Sequence, residues 1–244
     1  MTSHQAHLVE EVPLAISING INFAVMLASP FDIEDFVVGY LHSESVIKHN
    51  RDIHDINITA YQDALIVDVV IANRCLKQLK ARQRQLKGTS GCGLCGSQSL
   101  ELAFPELVLL PRSKIFDLSL AATLKPQLRQ WQTHGANSGA LHAAFWLNEK
   151  GNIQVCREDI GRHNALDKII GHVKRRQINT ANGAALVTSR CSVELVQKAI
   201  LAQIPNLLSL ASPSTLAVKL ARQSNLNLIH IPRHDKPYVL SGEN

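Results

Sequence analysis

At 244 residues the chain is long enough for one large domain or for two modest ones that share an interface. Hydrophobic residues make up 45% and charged residues 18%, which excludes a disordered chain, and no apolar run reaches the ~18 to 20 residues that span a bilayer. The net charge of +5 points to an anionic partner (nucleic acid, a phosphorylated ligand or an acidic protein surface) or to a solvated basic face. With 5% aromatics and no recognised binding motif, the chain does not read as a nucleic-acid binder.

Met1 to His7 hold no basic region followed by an apolar stretch, so no leader is expected and the cytoplasm is the expected location. Asn19-Gly20 between two apolar runs predicts a hairpin over 14–28. Ser29-Pro30-Phe31-Asp32, with acids following, opens a helix that carries Phe36, Val37, Tyr40 and Leu41 toward a core. Residues 64–71 read as a strand. No acid lies between Asp68 and Glu101, whereas Arg74, Lys77, Lys80, Arg82, Arg84 and Lys87 do; residues 76–87 are expected to form a basic helix ending at Gly88.

Beyond that point the pattern predicts a helix over 118–131, strands over 141–147 and 153–157 joined by a turn, and a helix over 164–176. A strand over 184–188, a helix over 192–202 and a strand over 206–211 follow. A helix over 214–223 is capped by Ser212 or Ser214, and the last clear strand spans 226–231. Strands alternating with helices argue for a layered α/β domain. The expected division is an N-terminal α+β part over 1–87 and an α/β part over 88–244.

Five cysteines occur: Cys75, Cys92, Cys95, Cys156 and Cys191. An odd, sparse set is not a disulfide framework. Cys92 and Cys95 lie in Gly88-Thr89-Ser90-Gly91-Cys92-Gly93-Leu94-Cys95-Gly96, and four uses of such a pair compete. A structural zinc needs four ligands, usually from two pairs, and no second pair exists, so no metal is expected. A thioredoxin-like dithiol normally opens a helix, which Gly93 and Gly96 disfavour. Zinc deaminase chemistry is rejected: the cysteines precede His142, Ala144 stands where a Glu is required, and no Pro precedes Cys92. Persulfide transfer needs a thiolate on an accessible loop, which glycines allow and the basic 74–87 segment favours. On the residues alone, dithiol oxidoreductase chemistry, persulfide transfer and a binding module with incidental cysteines all remain open.

A second cluster is Arg157-Glu158-Asp159-Ile160-Gly161-Arg162-His163-Asn164, followed by Asp167 and Lys168. A strand that ends in polar residues before a helix is where α/β folds place ligands, and Arg162 and His163 with the helix amides could hold an anion. The bland reading is capping and surface salt bridges. Cys75, Cys156 and Cys191 read as small buried hydrophobes, and His142 as a core histidine. The segment His230 to Pro237 reads equally as a phosphate contact at a strand end or as a solvated tail.

Together these segments resemble the FdhD family, the sulfur carrier or accessory proteins of formate dehydrogenase. The resemblance rests on Val12-Pro13-Leu14-Ala15, Asn19-Gly20, Asp32-Ile33-Glu34-Asp35-Phe36 with Gly39, and Ser43-Glu44. Its most specific pieces are Cys92-Gly93-Leu94-Cys95-Gly96 and Glu158 through Ala165 with Asp167-Lys168, joined by Ser189-Arg190, Ser192, Glu194, Lys198 and Leu216-Ala217-Val218. It implies a three-layer core like that of cytidine deaminases, with a smaller N-terminal α+β part, in a homodimer. It implies a sulfurtransferase-type carrier that takes sulfur as a persulfide from a cysteine desulfurase. The sulfur then passes to the molybdenum bis(molybdopterin guanine dinucleotide) cofactor of formate dehydrogenase. The persulfide cysteine maps onto Cys92, with Cys95 as its partner. The cofactor-binding stretch maps onto Ile231, Pro232, Arg233, His234, Asp235 and Lys236, assisted by Arg162 and His163. The chain departs from the family at Lys236, where an Arg is usual, at His234 and Asp235, and at Ala140 and Ser45, where Gly is usual. Lys offers a point charge where Arg offers a fork.

Overall fold

The computed structural model describes residues 8–77, 79, 109–135 and 138–242. The hairpin forms as expected from Val12–Ile18 (β1) and Ile21–Ala28 (β2). Asn19 (φ 49°) and Gly20 (φ 74°) both take the left-handed conformation, the turn whose twist matches that of the strands. Asn19 also reaches across to Ile71, accepting from its amide at 2.8 Å and donating to its carbonyl at 3.1 Å.

Ile33–Ser43 (α1), a 3-10 turn at Asn50–Asp52, Ile53–Tyr61 (β3) and Ala64–Ile71 (β4) complete the first half. The four strands order as β2-β1-β4-β3, with β1 and β4 parallel. Phe36, Val37 and Leu41 of α1 pack on Leu14, Ile16, Ile18, Val67 and Val69. Strand β3 was not expected. A bulge between Ile53 and Asp55 shifts its register, so its isoleucines do not alternate in sequence.

The second half holds Leu118–Ala122 (α2), Lys125–Trp131 (α3), His142–Leu147 (β5), Ile153–Asp159 (β6) and Arg162–Arg175 (α4). Ala184–Arg190 (β7), Val193–Leu201 (α5), Asn206–Ala211 (β8), Thr215–Gln223 (α6), Asn227–His230 (β9) and Tyr238–Ser241 (β10) follow. Two expectations need correction. The helix predicted over 118–131 is two short helices, because the ring of Pro126 would meet the Ala122 carbonyl in a continuous helix. The strand over 226–231, expected to be the last clear one, is followed by another, since β10 returns to pair antiparallel with β9. Ser214 is the cap of α6, its hydroxyl accepting from the Ala217 amide at 3.1 Å.

The six strands order as β10-β9-β8-β7-β5-β6. One face carries Ala144, Trp146, Val187, Leu207 and Leu228 against α4, α5 and α6. The other carries Ala143, Phe145, Leu186, Leu208 and Ile229 against Phe116, α2 and α3. Helices therefore cover both faces of a mixed sheet. The two halves meet where α1 crosses α4, at Gly39 and Gly171. Among the described residues no helix is long and apolar enough to cross a membrane.

Candidate functional site

Strands β6 and β7 both run antiparallel to β5, and β8 and β9 run parallel to β7. The carboxyl ends of β6, β7, β8 and β9 therefore share one edge with the amino ends of β5 and β10. Such an edge is where α/β sheets take ligands. It gathers Arg162 and His163 from the start of α4, Arg190 from the end of β7, His142 from the start of β5, and the β9–β10 loop from Ile231 to Pro237.

In that loop Ile231 belongs to the core, Pro232 is half-buried, and Arg233, His234, Asp235 and Lys236 are exposed. Lys125 at the start of α3 donates to the Pro232 carbonyl and ties the loop down. Arg162 and His163 are half-buried. The two cationic groups share the edge but not one spot, because four strand spacings of ~4.8 Å separate β9 from β6, about 19 Å. No single phosphate touches both; an extended ligand with charge at its two ends would.

His163 Nε2 lies 2.6 Å from Glu194 Oε2 and 3.4 Å from Ser192 Oγ. Burial pulls the imidazole below the ordinary histidine range, and Glu194 opposes that pull without reversing it. His142 is also lowered, by burial and by its neighbours Arg162 and Arg190. Glu194 and Arg190 complete the site. In the sequence both stand only as matches to a family pattern, because nothing local marks them as facing His163 and His142.

Beneath these groups the 157–168 cluster is not the surface salt-bridge set of the bland reading. Asp159 and Lys168 are fully buried and pair at 2.8 Å. Lys168 Nζ also donates to the carbonyls of Glu158 (3.0 Å) and Ser29 (3.2 Å) and sits 4.5 Å from the centre of the Phe31 ring. Asp159 accepts from Ser29 N (3.0 Å), Gly161 N (2.8 Å) and Asn164 Nδ2 (2.9 Å). Glu158 accepts from the amides of His134 and Gly135, both at 2.8 Å. Asp167 binds Lys198 at 2.7 Å and Ser43 at 2.6 Å. Every one of these groups is satisfied, so the cluster fixes the entry to α4 and holds Arg162 and His163 at the edge.

Cys92 and Cys95 lie outside the described residues. The other three cysteines are poor nucleophiles. Burial pushes the Cys75 and Cys156 thiols up, and that of Cys191 to about 12. Among the described residues, no group of three or more His, Cys, Asp or Glu could hold a metal.

A family model described as the FdhD/NarQ family matches residues 9–244. The chain belongs to the FdhD/NarQ family. The sulfur carrier protein FdhD of Xanthomonas axonopodis pv. citri (strain 306) is 40% identical over 232 residues, covering 95% of this chain and 83% of that protein. The protein of the same name from Bordetella bronchiseptica is 37% identical over 235 residues, covering 96% and 85%. A crystal structure from Desulfotalea psychrophila, described as a candidate formate dehydrogenase accessory protein, superposes with a TM-score of 0.69. It is 24% identical and covers 96% of this chain and 88% of that one. The two chains thus share a fold.

Proposed function

We propose that the chain is a sulfur carrier required for formate dehydrogenase activity, with Cys92 as the carrying residue. The observation that supports it most is the family match, which spans Cys92 and Cys95 and is joined by relatives named sulfur carrier proteins. The described cysteines support it by elimination, since burial keeps Cys75, Cys156 and Cys191 protonated.

In the proposed reaction the Cys92 thiolate attacks the outer sulfur of a persulfide on a cysteine desulfurase. The donor thiolate leaves, and Cys92 carries the persulfide; no oxidant is needed. Cys95 then attacks the inner sulfur. A Cys92–Cys95 disulfide forms, and the outer sulfur departs as sulfide toward the acceptor, the two thiols having supplied its two electrons. The acceptor is the molybdenum bis(molybdopterin guanine dinucleotide) cofactor, a substrate here and not a resident group. Its phosphates would be met by Arg233 and Lys236 at one end of the edge and by Arg162 and His163 at the other. The roughly 19 Å between the two groups suits an elongated dinucleotide.

The same reading makes the protein a cytoplasmic homodimer. The helix–sheet–helix layering is compatible with a cytidine-deaminase-like scaffold that hosts a different reaction. Intact-protein mass spectrometry after incubation with a cysteine desulfurase and cysteine tests the reading. One added sulfur (about 32 Da) mapped to Cys92 is expected, and Cys92→Ala is expected to abolish formate dehydrogenase activity in a complementation assay. Full activity in Cys92→Ala would sink it; full activity in the double cysteine variant would leave a cofactor chaperone in its place.

A further inference from the structure

The helices α1, α4 and α5 end around a cavity of about 850 Å³, at the other end of α4 from Arg162 and His163. Arg162 and Lys174 are about 18 Å apart along that helix. The cavity wall carries Lys48, Arg51 and Lys174, and none of them pairs with a carboxylate among the described residues. Lys48 and Arg51 are exposed, but Lys174 is half-buried, and burial alone pulls its ammonium below the usual lysine range. A cation drawn out of water without a counter-charge destabilises the fold unless an anion meets it. Beside it His42 is buried, and its Nε2 has no hydrogen-bond partner. Burial and the charge of Lys174 hold this imidazole down to about 4, so it is neutral near pH 7. Leu110, Pro111, Ile200 and Leu201 give the same cavity an apolar wall.

Helix dipoles are the competing account of these cations, because Lys174 stands in the last turn of α4. Three helix ends bring roughly half a negative charge each, about −1.5 in all. Three full cations exceed that by about +1.5. The end carbonyls are already bonded locally, to the amides of Ser45, Gln177 and Gln203. The positive excess calls for an anionic ligand, and the volume lies within the range of small-molecule sites.

We propose that this cavity is a second ligand site, distinct from the carboxyl edge of the sheet, that takes an organic phosphate. The phosphate meets Lys174, Lys48 and Arg51, and an apolar body lies along Leu110, Pro111, Ile200 and Leu201. This site stands independently of the sulfur-carrier reading.

Isothermal titration of the full chain with 1-naphthyl phosphate, beside inorganic phosphate and 1-naphthol, tests it. One 1-naphthyl phosphate per chain is expected, bound more tightly than inorganic phosphate, with no measurable heat from 1-naphthol. Lys174→Met is expected to weaken binding at least tenfold while leaving the melting temperature equal or higher, since it removes an unpaired half-buried charge. Arg51→Ala is expected to weaken it severalfold, and this exposed side chain has no packing role to confuse the result. The proposal is overturned if 1-naphthyl phosphate does not bind, or if neither variant weakens it. It is equally overturned if binding is lost in Arg233→Ala but kept in Lys174→Met, which would put the ligand at the sheet edge.

Discussion

Gly39 of α1 and Gly171 of α4 face each other across the helix crossing, each in contact with the backbone of the opposite helix. A Cβ on Gly39 would collide with the Asp167 carbonyl and lie 2.9 Å from the Gly171 nitrogen. A Cβ on Gly171 would collide with the Asp35 carbonyl and lie 2.9 Å from its Cα. Both helices carry the same spacing, Asp35-x-x-x-Gly39 and Asp167-x-x-x-Gly171. In each, the aspartate one turn earlier is buried and anchored to cations, Asp35 to Arg157 and Arg175, Asp167 to Lys198. In an exposed helix a Gly→Ala change stabilises by about 0.5–1 kcal/mol. Here overlap with backbone reverses the sign. Gly171→Ala is expected to destabilise by at least about 3 kcal/mol in urea unfolding, and an increase in stability would show that the crossing is looser than described.

Breaking the Lys168–Asp159 pair leaves a charge in a dry site. Lys168→Met is expected to cost about 3–5 kcal/mol. Lys168→Met combined with Asp159→Asn is expected to recover part of that loss, because the uncompensated charge is gone while the Asn carbonyl still accepts from Gly161 and Asn164. Urea midpoints for the two single variants and the double variant decide it; a strictly additive double variant would argue against the pairing.

His42 predicts the onset of acid sensitivity. Its folded value of about 4 lies below the ordinary 6.5, so the unfolded chain binds the proton more readily. Stability from this group is full above pH 6.5 and falls as the pH drops toward 4, by up to about 3 kcal/mol. Unfolding free energies across that window should decline in the native chain and stay flatter in His42→Leu. Equal slopes would refute the assignment.

Four helices end on a residue in the left-handed conformation that is not glycine: Ser45, Gln177, Gln203 and Asn225. Side chains are disfavoured there, and glycine is the usual occupant. Gln203→Gly and Ser45→Gly are each expected to raise stability by about 0.5–1 kcal/mol in thermal unfolding. Asn225→Gly should gain less, because Asn tolerates this conformation and Asn225 donates to the Leu110 carbonyl.

The Ser45 case shows what the sequence makes legible. A family position usually held by Gly reads as a departure, and the structure supplies its reason, a φ of 54°. Strands with steady apolar patterning, such as 64–71 and 206–211, are found where periodicity places them. Strand β3 escapes because its bulge is invisible without its partner, and β10 because four residues after a polar loop carry no period of their own. Arg162, His163 and the 231–236 loop are legible as strand-end residues, and the topology does bring them to one edge. Their separation, and the facing of His163 by Glu194, arise from strand order and helix packing and so have no local signal. The polar run 157–168 looks like surface in sequence but is largely interior, because its partners Ser29, Ser43 and Lys198 lie far along the chain.

The backbone of Ser29 supplies a donor to Asp159 and an acceptor to Lys168. Neither stretch of chain therefore holds a full set of partners for its own polar atoms. Cleaved between the first sheet and the second, the protein would not yield two independent modules. It would behave as a split protein, whose fragments recover structure only when they find each other.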